Sequence, residues 1–408
     1  MLALINGVLF DGTGSAPVKS AAVLIEGNKI KAAGAGVEIP GGTKIIDLKG
    51  KTILPGFIDT HVHAGGTVEL RPNWPTFGGA AFSVDYSDAR ESALRWGVTT
   101  LRSAGDYFPD IQEASRKIAE GKLRGPRLYY HGPQIQAHNG HPAGTIWRND
   151  PETCAKAGRY VKTPEEARAA VREIAGYGIN YIKTMMCELN IWDYPATVPR
   201  LSNEVIAAIV DEAHLHGKRV TIHCERPTDA YFAVSCGAES VEHIFTFGGS
   251  PTDVPEDMIP MMVKKGTFVA PTLTGTKAFE LTKQEPKDVE YKRYAMVKKI
   301  VKDISDAGVR IVVGTDSGAP DVMFGRSAHQ EMQNLVDAGV SPKNALLGAT
   351  RYAAECLGTE KEFGTIEPGK YADVVVVDGD PLTDISATMN IALVIKDGSV
   401  MEDRMLSV

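Results

Sequence analysis

Phe57-Ile58-Asp59-Thr60-His61-Val62-His63 is the stretch from which the rest of the chain is read. An apolar run ending in two imidazoles at alternate positions predicts a buried strand with chemistry at its tip. His61 and His63 stand two residues apart, so both rings leave the strand on the same side. Seven more apolar runs follow: Val98–Ala104, Arg127–Gln134, Asn180–Met185, Arg219–Cys224, Ser240–Phe245, Thr267–Leu273 and Arg310–Asp316. Helical stretches separate most of them. Thr163-Pro164-Glu165-Glu166 opens one, with Thr as cap and Glu three residues on. Val205–His216 and Asn344–Leu357 carry apolar residues at helical spacing. Eight strand–helix units over residues 57–361 predict an α/β fold of the (β/α)8 TIM-barrel type. A doubly wound open sheet is the alternative.

The two chain ends differ from this middle and match each other. ALINGVLFDG, AAVLIEGNKIKAAG and TKIIDLKGKTILPG are short apolar runs cut by Gly-Asn, Asp-Gly and Pro-Gly. After the turn Glu367-Pro368-Gly369-Lys370, ADVVVVDG and NIALVIKDGSV repeat that texture. A composite β-sandwich domain of residues 1–56 and 362–408 is therefore expected beside the barrel.

The 408 residues are 43% hydrophobic and 23% charged, ordinary for a globular chain and unlike a disordered or fibrous one. A net charge of −7 gives no reason to seek phosphate backbones, so nucleic acid is not an expected partner. No apolar run is long enough for a membrane helix, and no membrane partner is expected. The start, MLALINGVLF, lacks a basic leader and reads as structure. Five scattered cysteines without a C-x-x-C pair fit reduced thiols and a cytoplasmic location. Gly34-Ala35-Gly36 has no helix after it to make a dinucleotide loop, and G-T-D-S-G at Gly314–Gly318 is not a nucleophile elbow.

Side chains at the carboxyl ends of barrel strands converge on one mouth. Besides His61 and His63, those ends carry Lys183, His223, His243 and Asp316. An H-x-H pair alone is a weak signal, and a histidine at a strand tip is often a satisfied core residue. A buried Asp316, however, must have a partner. Together these groups offer N and O donors suited to zinc or a similar divalent ion. Lys183 on an apolar strand has three escapes from its burial cost. It can pair with a carboxylate, lose its proton and act as a free amine, or react with CO2 to form a carbamate.

The ordered set of L-P-G followed by F-I-D-T-H-V-H, the fourth-strand Lys183, the fifth-strand His223, V-E-H, G-T-D and G-T-I-E-P-G-K-Y-A-D resembles the amidohydrolase superfamily over essentially the whole chain. Within it the chain looks closest to the prolidase-like and arginine-carboxypeptidase-like, imidazolonepropionase-related branch. The resemblance implies a binuclear centre of two divalent metal ions, zinc in the first instance. His61, His63 and Asp316 would hold the more buried ion, His223 and His243 the second, and a CO2-derived carbamate on Lys183 would bridge them. It further implies hydrolysis of a C–N bond by a metal-bridging hydroxide. Such an environment lowers the pKa of water from about 15.7 to about 7. Asp316 would take the proton and pass it to the leaving amine.

His141, in His138-Asn139-Gly140-His141, aligns with the histidine that stabilises the oxyanion, and His138 replaces the first Thr of the T-G-G-H seen in relatives. His138 is a candidate substrate contact. The implied substrate is a small-molecule amide, a dipeptide or N-acyl amino acid; a cyclic amide, carbamate or aryl-urea is the alternative. A homo-oligomer is implied by analogy. The chain departs from the pattern after His223, where Cys224-Glu225-Arg226 replaces x-H-G, and after Lys183, where Met185-Met186-Cys187-Glu188 replaces a Gly-Gly segment. Arg226 would clamp a substrate carboxylate or pair with Glu225 or Asp229. Tyr231 would donate to a substrate carboxylate. Trp74, Phe77, Trp147 and Trp192 are candidates for an aromatic pocket lining.

Overall fold

A computed structural model of the chain describes every residue except 66–85, 189–195, 245–252, 282–286, 320 and 406–408, and describes 279–281 and 287–293 by backbone alone. Trp74, Phe77, Phe245 and Trp192 lie outside the described residues.

The amino-terminal strands are β1 (Leu2–Leu9), β2 (Val18–Glu26), β3 (Lys29–Gly34), β4 (Lys44–Asp47) and β5 (Thr52–Pro55). The parallel series that follows is β6 (Phe57–Val62), β7 (Val98–Ser103), β8 (Arg127–Tyr130), β9 (Gln134–Gln136), β10 (Gly158–Tyr160), β11 (Tyr181–Met186), β12 (Arg219–Cys224), β13 (Ser240–Glu242), β14 (Phe268–Ala270) and β15 (Arg310–Ile311). The carboxyl-terminal strands are β16 (Val374–Val377), β17 (Ile391–Lys396) and β18 (Ser399–Asp403).

Strands from both ends form one eight-stranded sheet, ordered β18-β17-β16-β5-β1-β2-β3 with β4 on β1. β16 joins the two halves by pairing antiparallel with β5, from Val374 opposite Pro55 to Val377 opposite Thr52. Its four valines are an unbroken apolar run because both faces are covered. Val374 and Val376 pack in the core of the terminal sheet, and Val375 and Val377 in the core of the parallel strands.

The parallel strands run in two arcs, β6-β7-β8 and β10-β9-β11-β12-β13-β14-β15. The architecture is of the TIM-barrel type, although its assigned ladders do not close into one sheet. The strand predicted over Arg127–Gln134 stops at Tyr130 as β8, and only its last residue, Gln134, enters β9; Pro133 between them has no N–H to donate. At the other seam the chain beyond β15 runs beside β6 without being assigned as strand. Thr60 N donates to the Val313 carbonyl at 2.8 Å, Asp316 N to that of His61 at 2.8 Å, and His63 N to that of Ser317 at 2.7 Å.

Three expected strands are shorter than predicted. The strand predicted over Ser240–Phe245 stops at Glu242, that over Thr267–Leu273 at Ala270, and that over Arg310–Asp316 at Ile311. His243 (φ 65°), directly after β13, is left-handed and ends strand geometry there; Thr272 (φ 47°) and Asp316 (φ 64°) are left-handed too, but lie two and five residues beyond the ends of β14 and β15. The helix predicted over Asn344–Leu357 is two, Pro342–Gly348 and Arg351–Leu357. The break frees the Gly348 carbonyl to accept from Val313 N (2.9 Å) and that of Ala349 to accept from Ile58 N (2.8 Å). The capping box is as read: Thr163 Oγ1 accepts from Glu166 N at 3.3 Å, and Glu166 accepts from Thr163 N, opening the helix Pro164–Gly176.

Candidate metal centre

The strand ends, with the loop after β9 that carries His141, bring five imidazoles, one carboxylate and one amine together. Ring centroids are 5.6 Å apart for His61 and His63, 4.5 Å for His61 and His243, 4.4 Å for His243 and His223, and 4.7 Å for His223 and His141. Asp316 Oδ1 lies 3.3 Å from His63 Nε2 and 3.6 Å from His61 Nε2. His61, His63 and Asp316 thus offer donor atoms within 4.8 Å of one another, a spacing that could hold an ion. Glycines let the backbones come this close. A Cβ on Gly314 would meet His61 Cβ at 2.9 Å, and one on Gly275 would meet Asp316 Cβ at 2.9 Å.

Each imidazole has one nitrogen against a protein hydrogen-bonding group. His61 Nδ1 pairs with Glu242, His63 Nδ1 faces the Gly105 carbonyl (3.1 Å), and His243 Nδ1 faces Thr272 Oγ1 (2.8 Å). His141 Nδ1 faces Thr145 Oγ1 (2.8 Å), and His223 Nε2 faces Glu225 Oε1 (3.4 Å). In His61, His141, His223 and His243 the second nitrogen is left available as a lone-pair donor, the arrangement in which metal-ligating histidines are held; in His63 it faces Asp316.

Electrostatics agree with neutral rings. Burial drives the pKa of His61 down and those of His223 and His243 well down; it takes His141 to about 3. His63 is the exception: burial opposes protonation, but its hydrogen bond to Asp316 raises its pKa. Burial also opposes ionisation of Asp316, yet the bond from His63 and the charges around it hold the carboxyl far below its usual range. Lys183 is 2% exposed, and its Nζ has no hydrogen-bond partner among the described residues. Burial pulls its pKa down to about 8. That amine is the orphaned polar atom a carbamate would absorb, so the residues present fit two cations and the modified lysine.

Not every predicted site residue joins this cluster. His138 is exposed, with its ring 5.5 Å from that of Tyr160. Tyr231 donates to Asp257 Oδ2 at 3.1 Å. Arg226 pairs with Glu188, and Asp229 pairs with Arg200 at 2.6 Å. Trp147 packs with Ala143 and with Ala157, the last residue of the helix Pro151–Ala157.

Several supporting residues were not read from the sequence. Glu242 is fully buried, bonded to His61 and, at 2.8 Å, to Arg102 Nη2; Arg102 Nε also donates to the Thr60 carbonyl at 2.7 Å. A signal was available, since an arginine inside the apolar run Val-Thr-Thr-Leu-Arg-Ser demands a buried carboxylate. Asp59 accepts from His61 N (3.3 Å), Thr315 N (3.1 Å) and Thr315 Oγ1 (2.7 Å), which ties β6 to the Asp316 segment.

A family model described as the amidohydrolase family matches residues 52–401. The chain belongs to the amidohydrolase family. Among curated relatives it is similar to ochratoxinase of Aspergillus niger, 27% identical over 93% of this chain and 81% of that protein. It is also similar to imidazolonepropionase of Shouchella clausii, 24% identical over 88% of this chain and 80% of that protein. Among solved structures, a Xaa-Pro dipeptidase with bound methionine in its active site superposes with a TM-score of 0.83 at 27% identity, covering 98% of this amidohydrolase and 99% of that chain. Among the described residues, no helix is long and apolar enough to cross a membrane.

Proposed function

We propose that this amidohydrolase is a binuclear metal enzyme that hydrolyses the C–N bond of a dipeptide or N-acyl amino acid. The observation that carries the reading is the set of five imidazoles, each tied by one nitrogen to a protein group, around Asp316 and a buried Lys183 whose Nζ has no hydrogen-bond partner among the described residues. His61, His63 and Asp316 would hold one cation, and His223 and His243 the other. Lys183, as the carbamate formed when its neutral amine adds CO2 and loses a proton, would span the two. The ions, zinc in the first instance, supply Lewis acidity and a nucleophile at neutral pH.

The chain's own groups then have these tasks. Asp316, ionised at neutral pH, accepts the proton of the attacking water and delivers it to the leaving amine. His141 is neutral and lies beside His223, where it can donate to the oxygen of the opening carbonyl. That task requires its proton on Nε2, with the Thr145 hydroxyl donating to Nδ1. The relatives support peptide-like chemistry: one similar structure is a Xaa-Pro dipeptidase. The terminal strands, with an apolar core of their own, form the β-sandwich unit of residues 1–56 and 362–408 beside the 57–361 barrel in this reading.

One observation favours a second reading, a cyclic amide, carbamate or aryl-amide substrate. Arg226 is taken up by Glu188 and Tyr231 by Asp257, so neither stands ready to clamp a substrate carboxylate. Zinc-loaded protein assayed against dipeptides, N-acyl amino acids, aryl amides and cyclic amides separates the two. The first reading predicts turnover concentrated in the first two classes and abolished by Asp316→Ala. Turnover that survives Asp316→Ala overturns it.

A further inference from the structure

The reading above gives no task to Glu225 or Cys187, yet both are buried next to His223, with 1% and 2% exposure. Their placement follows from register. β11 and β12 pair in parallel with Met186 opposite Cys224, so the next rung sets Cys187 beside Glu225 and the one after sets Glu188 beside Arg226. Cys187 Sγ donates to Glu225 Oε1 at 2.9 Å, and His223 Nε2 lies 3.4 Å from that same oxygen. Glu225 Oε1 accepts from the thiol, and a ring nitrogen facing an acceptor oxygen carries its proton there. His223 differs from its neighbours here. His61, His63, His141 and His243 are tied through Nδ1, while His223 is tied through Nε2.

We propose that Glu225 is the positioning residue of His223. It takes the Nε2–H, so that Nδ1 is the nitrogen presented to the second cation, and the Cys187 thiol holds the carboxylate in that orientation. The proposal rests on the metal-centre reading and adds a side-chain partner to it. The competing arrangement, with Cys187, His223 and Glu225 themselves ligating an ion, is an outcome of the test, because their donor atoms also lie within 4.8 Å of one another.

The test uses the full chain loaded with cobalt(II), read by bound metal per chain, competition with a chelator and absorption spectrum. The metal-centre reading is judged first, on the unmodified protein. Failure to bind a second ion overturns that reading and this proposal with it. Given two ions, Glu225→Ala is expected to weaken one of them about 10–100-fold and leave the other unchanged. Glu225→Gln, whose amide oxygen still accepts from Nε2–H, is expected to recover most of that loss. Cys187→Ala is expected to leave the cobalt spectrum unaltered. Two ions held with unmodified affinity in Glu225→Ala overturn the proposal while sparing the metal centre. So does a thiolate-to-cobalt charge-transfer absorption that disappears in Cys187→Ala. Nitrogen-15 shifts of His223 in the unmodified zinc-loaded protein give a readout independent of how the variants fold. A proton on Nε2 is expected, and a proton on Nδ1 overturns the proposal.

Discussion

Glu242 is the residue on which most of the centre leans. It joins His61 to Arg102 with all three groups buried, and removing one partner of such a set leaves an uncompensated charge. Glu242→Ala is expected to cost roughly 3–5 kcal/mol of stability by chemical denaturation. It is also expected to weaken metal binding about 10–100-fold in a chelator competition. Asp59 carries a pH signature. Burial pushes its carboxyl up to about 7 against its hydrogen bonds from Thr315 and His61. The folded state therefore holds a proton between about pH 4 and pH 7 that the unfolded chain has released, and the metal-free protein loses that stabilisation as pH rises through the window. Asp59→Asn lacks this term, so its stability relative to the unmodified protein is expected to improve between pH 5 and pH 8. Paired urea titrations at the two values check it. That His61, His63, His223, His243 and Asp316 come together could be read from the sequence because they stand at or just beyond the ends of apolar runs; His141, in a loop, came only from the resemblance. Glu242, Glu225 and Asp59 were not assigned, since a carboxylate earns its place here only by what faces it across the sheet.

At the scale of elements, the seam between β6 and the Val313–Ser317 segment decides whether His61, His63 and Asp316 meet. The segment bonds to β6 through backbone groups, and Gly314 lets it approach, with an added Cβ landing 2.9 Å from His61 Cβ and 3.1 Å from Ala270 Cβ. Gly314→Ala is expected to destabilise by about 1–3 kcal/mol through overpacking, and to lower the bound metal count measured by elemental analysis. The apolar runs revealed the strands, but their ends were read too late. His243 turns left-handed directly after β13, and Thr272 and Asp316 do so further on, backbone strain that its surroundings hold in place. Nothing in a run such as Arg-Ile-Val-Val-Gly-Thr-Asp announces a positive φ at its last residue. The split of Asn344–Leu357 was hidden for a similar reason: helical spacing continues through a break whose purpose is to hand two carbonyls to neighbouring backbone.

At the scale of the molecule, the sheet of both chain ends is fastened to the parallel strands by Arg127, at the start of β8. Its guanidinium pairs with Asp373 and Asp397 and lies over the Tyr371 ring, 4.4 Å from the centroid. Arg127→Ala would leave the buried Asp373 without that cation. It is expected to lower stability by roughly 3–5 kcal/mol while leaving metal content unchanged, since it acts at the end of the strands away from the centre. Calorimetry alongside elemental analysis checks both halves of that statement. The shared texture of the two ends was enough to foresee that they pair; the Arg127 link was not, because it depends on three residues brought together only by the fold. The account as a whole stands or falls on the metals. Crystals of zinc-loaded protein should give two anomalous peaks per chain, one bounded by His61, His63 and Asp316 and the other by His223 and His243, with density for a carbamate on Lys183 between them. A protein that takes up zinc without a peak at either position, or with its zinc held elsewhere on the molecule, would contradict it.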